Sequence, residues 1–422
     1  MSTPSASPGR PVRVAFGTVP KDGGTFTFYR NIRPALAQMG VDLRAVSVGR
    51  DNAHLWDDAY ADAGCVLLAP HSVSLKEQAR SFVGWCVAEE IDIALGINSP
   101  AILSALMHLP HDMHAMARCA NGFDHGYRIT MSGRDRLASI VALSPKLRDD
   151  LIAEYGARPD LITLIPNGID PAPFKDAAAQ PRGQADVLRI AFLGRLEHTQ
   201  KGVLHLPLVA DALHASGAPF HMTIAGKGVH ADTLRDRMAT HIAAGRVSLP
   251  GALDPAQIPD FLARHDAFVF TSHFEGMPNA LIEAMMAGCV PASFVIKGTT
   301  DFMIRQGETG LLVDQGDTDG LAKALADLAK NRTRLADMSN AVARDARDRF
   351  SNLRAAQAYA SLFKDVAARP PMPVPVRPWS AFEPDPNFPQ TWRRFVPPAL
   401  KDQARKLRAL ASARRNRGGQ SK

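Results

Sequence analysis

Apolar runs of four to eight residues alternate with helix-length runs along most of the chain, and the series is played twice. VRVAFGTV (12–19), VDLRAVSV (41–48), CVLLAP (65–70), IDIALGI (91–97), MHAMARCA (113–120) and ASIVAL (138–143) form the first series. Helical runs at 25–39, 75–89, 100–108 and 145–155 lie between or after them. A small polar stretch, KDAAAQPRGQAD (175–186), reads as a linker. The second series then opens with VLRIAFLG (187–194), FHMTIAG (220–226), residues 246–249, AFVFTS (267–272), VPASFV (290–295) and GLLV (310–313). Its helices are expected at 203–215, 231–243, 255–264, 278–287, 319–330, 332–349 and 352–367. Strands that alternate with helices make βαβ units and a parallel sheet. Their near-continuous apolar character suits strands covered on both faces. The expected fold is therefore α/β, two Rossmann-like doubly wound parallel sheets in series with a cleft between them. The expected divisions are a disordered N-terminus (1–11), a first domain (12–174), a second domain (187–350), a crossover helix with a Pro-rich segment (351–395) and a basic tail (396–422).

A length of 422 residues with 46% hydrophobic content suits two domains better than one. No stretch reaches the roughly 18 consecutive apolar residues of a membrane span. The first residues, MSTPSASPGRP, lack an apolar core and read as a lead-in, not a secretion signal. Cys65, Cys86, Cys119 and Cys289 are far apart, with no CxxC pair, as in a reduced cytoplasmic protein. The net charge of +7 is a property of the tail. Ten lysines and arginines and one acid from 392 to 422 give +9, leaving −2 for the rest. Beyond Trp392 and Phe395 the tail has no interleaved aromatics, which argues against a nucleic-acid partner. A helix from about 399 to 415 would carry Leu400, Ala404, Leu407 and Ala411 on one stripe amid basic residues. Two readings stand: an interfacial helix on an anionic membrane, or a solvated tail.

The most informative stretch is FEGMPNALIEAMMAGCVP (274–291). Pro278 suits the first position of a helix, where its missing N–H costs nothing. Free N–H groups of Asn279, Ala280 and Leu281, with the helix dipole behind them, would form an anion site. Gly276 would let a ligand approach the backbone. Glu283, further along the helix, can accept two hydrogen bonds from a vicinal diol such as a ribose, and Glu275 can reach another sugar. The plainer reading is an acidic residue near a helix start and a core-packed helix. A second stretch, LGRLEHTQKG (193–202), sets Arg195 and Lys201 at a strand's carboxyl end, where open α/β sheets bind ligands. Two cations there can neutralise a diphosphate, although isolated Arg and Lys are most often solvated surface charges.

LGRL…KG at 193–202, AGKG at 225–228, VSLPGAL at 247–253, FTSHFEGMPNALIEAMMAGCVP at 270–291 and GETGLLVDQGD at 307–317 follow one another in a specific order. With them, residues 187–313 resemble the nucleotide-binding half of family 4 retaining glycosyltransferases. The first half is similar more loosely, through its Gly-Gly loop and through VALSPKLRDDL…LIPNGID. The resemblance runs from residue 12 to about 365.

The resemblance implies a GT-B fold and transfer of a sugar from a nucleoside diphosphate to an acceptor hydroxyl, with retention of configuration. It implies that Arg195 and Lys201 bind the donor diphosphate, that Glu283 holds the ribose, and that Glu275 meets the donor sugar and supports catalysis. Gly276 and the backbone from Met277 through Asn279 and Ala280 to Leu281 assist. Gly23 and Gly24 match the first-domain loop over the phosphates, and residues 247–250 lie near the base. The family's first-domain histidine is replaced, and Asn121 or His125 stands at about its place. No metal or other cofactor is expected. Asp317-Thr318-Asp319 has the DxD form, but Asp319 reads better as a helix N-cap, and Pro110 breaks the spacing of His108, His111 and His114. The expected partners are a nucleotide-sugar donor, a glycan or lipid-linked acceptor of the cell envelope and, on the interfacial reading of the tail, the anionic inner face of the membrane; the expected location is cytoplasmic. A nucleotide-sugar epimerase of similar fold and a non-catalytic nucleotide-sugar-binding scaffold are the alternatives.

Overall fold

The computed structural model describes residues 9–18, 24–49, 53, 56–179, 186–388 and 400. Gly23, nearly all of the N-terminal lead-in and, apart from residue 400, the basic tail lie outside the described residues. The chain divides into two units. One holds residues up to 143, 147–168 and 355 onward; the other holds 144–146 and 169–354.

The first unit carries a seven-stranded sheet of β1 (Val12–Gly17), β2 (Val41–Val48), β3 (Cys65–Leu68), β4 (Ile93–Gly96), β5 (His114–Cys119), β6 (Leu137–Ala142) and β7 (Ile162–Leu164). Their order is β3-β2-β1-β4-β5-β6-β7, and every pairing is parallel. The second unit has six strands: β8 (Leu188–Leu193), β9 (Phe220–Ala225), β10 (Val247–Gly251), β11 (Ala267–Phe270), β12 (Val290–Phe294) and β13 (Leu311–Val313). They run β10-β9-β8-β11-β12-β13, again all parallel. Both sheets are doubly wound. The chain moves outward from β1 and from β8, then returns to place β4 and β11 on the other side. The central strands β4, β5, β6, β11 and β12 are buried along their whole length, which is why their sequences are apolar without alternation.

The same polar device seats the returning strand in each sheet. Asp92, just before β4, accepts the Arg13 N–H of β1 at 2.8 Å and donates its own N–H to the Arg13 carbonyl at 2.9 Å. Asp266, just before β11, accepts the Arg189 N–H of β8 at 2.9 Å and donates back at 2.7 Å. The Arg189 guanidinium also grips the Asp266 carboxylate through two bonds, at 2.8 and 3.0 Å. Bidentate pairing of this kind fixes register as well as adding energy.

Three boundaries differ from the sequence reading. The division between units falls at Gly168 and Ile169, ahead of the expected linker. Ile169 pairs with Ser351 and donates to the Phe350 carbonyl, which ties it to the second unit. Within the expected linker, Lys175–Ala179 is helical, as its run of alanines favours. The expected helix 231–243 is two helices, Ala231–Arg237 and Ala239–Ala243.

The Pro-rich segment packs back on the first unit as a strap. Met372 donates its N–H to the His111 carbonyl at 3.1 Å, Arg377 to Met107 at 2.9 Å, and Asp385 to Ser104 Oγ at 2.9 Å. Trp379 stacks on His108 with ring centres 4.2 Å apart. Beneath the strap, the fully buried Arg136 donates to the carbonyls of Leu109, Pro110 and Val374 at 2.9–3.0 Å. Extended Pro-rich backbone has free carbonyls to offer, and the buried guanidinium takes the one of Val374.

Candidate functional site

In the second unit the chain reverses its winding between β8 and β11, so the loops leaving those two strands are neighbours at the carboxyl end of the sheet. That is where an open α/β sheet offers a crevice. Arg195 and Lys201 lie on the loop after β8, and Glu275 lies on the loop after β11.

The β8 loop contains a one-turn helix, His198–Lys201, capped by Glu197, whose carboxylate accepts the Thr199 and Gln200 N–H groups. Gly202 ends it in the left-handed region, φ 59°, and a Cβ there would sit 2.0 Å from the Thr271 carbonyl oxygen. Only glycine lets the two loops approach so closely. Three more bonds join them. Thr271 Oγ1 donates to the Lys201 carbonyl at 2.9 Å, the His273 N–H to the Gln200 carbonyl at 2.8 Å, and His273 Nδ1 meets the Thr199 carbonyl at 3.1 Å. Gly226, from AGKG, serves the neighbouring loop. It donates to Gly251, and a Cβ on it would collide with the Gly194 carbonyl at 1.8 Å.

This framework buries an ion pair. Lys201 Nζ donates to Glu275 Oε1 at 2.6 Å, and Glu275 is only 5% exposed. Ser272 Oγ donates to the same oxygen at 2.9 Å, and Gln200 Nε2 donates to Oε2 at 3.1 Å. Gln200 also accepts from the guanidinium of Arg195, which is itself exposed. Glu275 thus fixes Lys201, and Gln200 links both cations to one carboxylate. Sequence reasoning missed Gln200 and Ser272. Loop residues carry no periodicity to flag them, and their only signal was their position inside the two quoted motifs.

The helix after Glu275 begins one residue later than expected. Pro278 is the N-cap, with ψ 110°, and the helix runs Asn279–Met286. A proline that cannot donate still supplies a carbonyl, and here that carbonyl takes the Leu281 N–H at 3.2 Å and the Ile282 N–H at 3.3 Å. The expectation that Leu281 keeps a free N–H is therefore corrected, and the first turn uses it. Gly276 and Met277 are buried in the turn before the helix, and Asn279 and Ala280 are partly exposed at its start. Leu281, Ile282, Ala284, Met285 and Met286 are buried. Glu283 lies among them, partly exposed, and its carboxylate has no hydrogen-bond or ion-pair partner among the described residues. Burial alone pushes its carboxyl up to about 7.

In the first unit, Gly24 opens the helix Gly24–Gln38 directly beyond β1, at the equivalent switch between β1 and β4. Asn121 and His125 are exposed on the segment from β5 into the helix Asp124–Thr130, and the His125 ring meets the edge of Phe388 at 5.6 Å. The structure also shows a buried cation that the apolar strand pattern hid. Arg118 of β5 donates to Tyr359 Oη at 3.0 Å and to Asn167 Oδ1 at 2.6 Å, with its guanidinium over Phe28.

Geometry bears on two further expectations. Asp317, not Asp319, caps the helix Thr318–Lys330, accepting the Gly320 N–H at 2.8 Å; the helix starts one residue earlier than its apolar periodicity suggests. His108, His111 and His114 fall on a 3-10 turn, a loop and β5, and His108 is occupied by the strap.

Residues 175–346 match the family model described as glycosyl transferases group 1. Over these residues the chain is similar to that family. The match contains the β8 and β11 loops and the helix Asn279–Met286, so every second-unit candidate residue lies within the glycosyl transferases group 1 segment. Among curated proteins, glycogen synthase of Mycobacterium tuberculosis is 33% identical over 188 residues, 44% of each chain. D-inositol 3-phosphate glycosyltransferase of Acidothermus cellulolyticus is 26% identical over 266 residues, 58% of this chain and 59% of that one. The chain thus spans about half the length of these relatives. Among solved structures, Anabaena HepE in complex with UDP superposes with a TM-score of 0.68 at 18% identity, covering 84% of this chain and 99% of that one. This likeness extends over both units and shows the fold, GT-B, with two Rossmann-like parallel-sheet domains.

Proposed function

We propose that this protein is a retaining glycosyltransferase that moves a sugar from a nucleoside-diphosphate sugar to an acceptor hydroxyl, in the synthesis of a cell-envelope glycan or glycolipid. The observation that carries the reading is the Lys201–Glu275 pair, held at 2.6 Å where the β8 and β11 loops meet. A carboxylate with three donors does not drift, so Lys201 is presented at a fixed place without reorganisation cost. Arg195, exposed and tethered to the same network through Gln200, supplies the second charge. A diphosphate set against these two cations and the start of the helix Asn279–Met286 would find its charge matched from three directions. Glu283 then faces the ribose diol. An ionised carboxylate accepts two hydrogen bonds, and its present lack of partners is what a diol would correct.

In this scheme the protein acts by positioning and by stabilising the leaving diphosphate. The acceptor hydroxyl attacks the anomeric carbon from the face that the phosphate leaves, and the leaving phosphate oxygen takes its proton. No side-chain nucleophile and no metal enter the transfer. In this reading Gly24 serves the phosphates and Asn121 or His125 the donor sugar, and the acceptor is a glycan or a lipid-linked chain. Calorimetry with UDP, GDP and a panel of sugar nucleotides tests the reading, followed by donor hydrolysis. Binding of one nucleoside diphosphate and slow release of its sugar are expected. Absence of heat with every nucleotide at millimolar concentration overturns it.

A further inference from the structure

A cluster that the transfer scheme does not use lies beside the Lys201–Glu275 pair. His198 sits on the one-turn helix of the β8 loop, His205 opens the helix His205–Ala215, and His273 lies two residues before Glu275. Their ring centres form a nearly equilateral triangle, 5.3, 5.1 and 5.2 Å on a side. The rings are inclined by 57–86° to one another, so they converge by their edges instead of stacking. One ligating nitrogen from each ring lies within 4.8 Å of the other two, and His205 Nε2 and His273 Nε2 are 3.0 Å apart.

We propose that His198, His205 and His273 bind a divalent transition-metal ion of the zinc class, which clamps the β8 loop to the β11 loop.

The chemistry of each nitrogen supports this. The Thr199 carbonyl 3.1 Å from His273 Nδ1 can only accept, so Nδ1 carries the proton and Nε2 presents a lone pair. A ligating histidine whose other nitrogen donates to a backbone carbonyl is the usual outer arrangement of a metal site. That lone pair points at His205 Nε2. Without an ion, one of the two nitrogens must spend its proton on the other. Three nitrogens each about 2.0–2.1 Å from a tetrahedral zinc stand about 3.3 Å apart. The His205–His273 distance of 3.0 Å already nearly meets this, and His198 needs to move closer by up to about 1.5 Å. The Leu204 N–H reaches His198 Nδ1 at 3.3 Å, the long end for such a bond, and a metal–nitrogen bond readily outcompetes it.

Burial first, and then the neighbouring imidazoles, hold His198 and His205 below the ordinary histidine range, so both are unprotonated and ready to ligate near neutral pH. An all-imidazole set favours zinc, cobalt, nickel or copper over magnesium or calcium, which prefer oxygen. Three ligands leave one position for water. The ion would cross-link residues 198–205 to residue 273, and the chain between these anchors carries Gln200 and Lys201.

The test uses the full chain, untagged and stripped of metal. Equilibrium dialysis against Zn2+ is combined with the visible ligand-field spectrum of Co2+ as a geometric probe. Hydrogen exchange across residues 197–206 is followed with and without Zn2+. The wild type is expected to bind one ion that gives a four-coordinate Co2+ spectrum and slows exchange in that loop. His273→Ala and His198→Ala should each lose this ion, with affinity down at least tenfold, while His71→Ala, at an exposed site elsewhere, keeps it. His198 and His273 are only partly buried, so both variants should fold, which circular dichroism verifies. The proposal is overturned if the wild type holds no Zn2+ at micromolar free metal, or if the three variants take up Zn2+ and Co2+ alike.

Discussion

Replacing Glu283 by glutamine should make the free protein more stable at pH 8 and a poorer nucleotide binder. The carboxyl is pushed from 4.5 to about 7 by burial, with no charged or hydrogen-bonding neighbour among the causes. Between those two values the folded chain keeps a proton that the unfolded chain has released. Stability therefore falls as pH rises through this window, and the whole cost is present above about pH 7. A rise of this size corresponds to about 3 kcal/mol, an upper figure because the side chain is partly exposed. Glutamine has nearly the same shape and no charge, so the variant should lose the slope. In thermal unfolding monitored at pH 5 and pH 8, the two proteins should melt within about 3 °C of each other at pH 5, where only a small part of the cost is present. At pH 8 the variant should melt higher, by roughly 5–10 °C for a transition in a domain of this size. UDP or GDP binding at pH 8 should meanwhile weaken by about tenfold or more, since an amide accepts from a diol through one oxygen instead of two. A variant that melts at or below the wild type at pH 8, or a difference that does not change with pH, refutes the assignment of a buried, unpartnered carboxylate.

Wild-type nucleoside-diphosphate affinity should itself rise between pH 6 and pH 8 as Glu283 ionises, and calorimetry of Glu283→Gln should show that dependence gone. Lys201→Ala should lower both the melting temperature and nucleotide affinity, because it strands Glu275 in a nearly dry site at a cost of up to about 3 kcal/mol. Arg195→Ala should leave the melting temperature within about 1 °C of wild type and lower affinity about tenfold, since this cation is exposed. Gly202→Ala should destabilise by more than about 2 kcal/mol in denaturant unfolding, because a Cβ at φ 59° would press on the Thr271 carbonyl. Arg136→Met should free the strap, read as faster proteolytic cleavage within 369–388 and an unchanged cleavage rate in residues 187–350.

Strand positions were legible because burial on both faces writes an unbroken apolar run, and two series of such runs can only be two wound sheets. β2 falls exactly on the run 41–48 and β12 within 290–295. The short elements were not legible. The turn His198–Lys201 has no apolar stripe, and it exists because Glu197 and Gly202 close its two ends. The docking of the Pro-rich segment was not legible, because its anchors are main-chain N–H and carbonyl groups, which carry no sequence pattern. One of its partners is Arg136, which takes the Val374 carbonyl and is one of three charged residues in the stretch MSGRDRLAS. The correspondence of Asp92 and Asp266 was equally hidden, since one aspartate before each returning strand is too little to register as an internal repeat.

At the candidate site the motif residues were legible but their division of labour was not. Glu275 and Glu283 look alike in sequence, two acids flanking a helix start, yet their environments differ in kind. Glu275 accepts three hydrogen bonds and an ammonium charge, so its charge is already balanced before any ligand arrives. Glu283 has none of these and resists ionisation. The difference follows from topology. β11 lies beside β8, so a residue on the β11 loop meets the β8 loop and its Lys201. A residue one turn into the following helix has left that loop and sits among Ile282, Ala284 and Met286. No pattern within 274–291 encodes which strand neighbours β11, and so the roles of its two acids became readable only once the strand order was known.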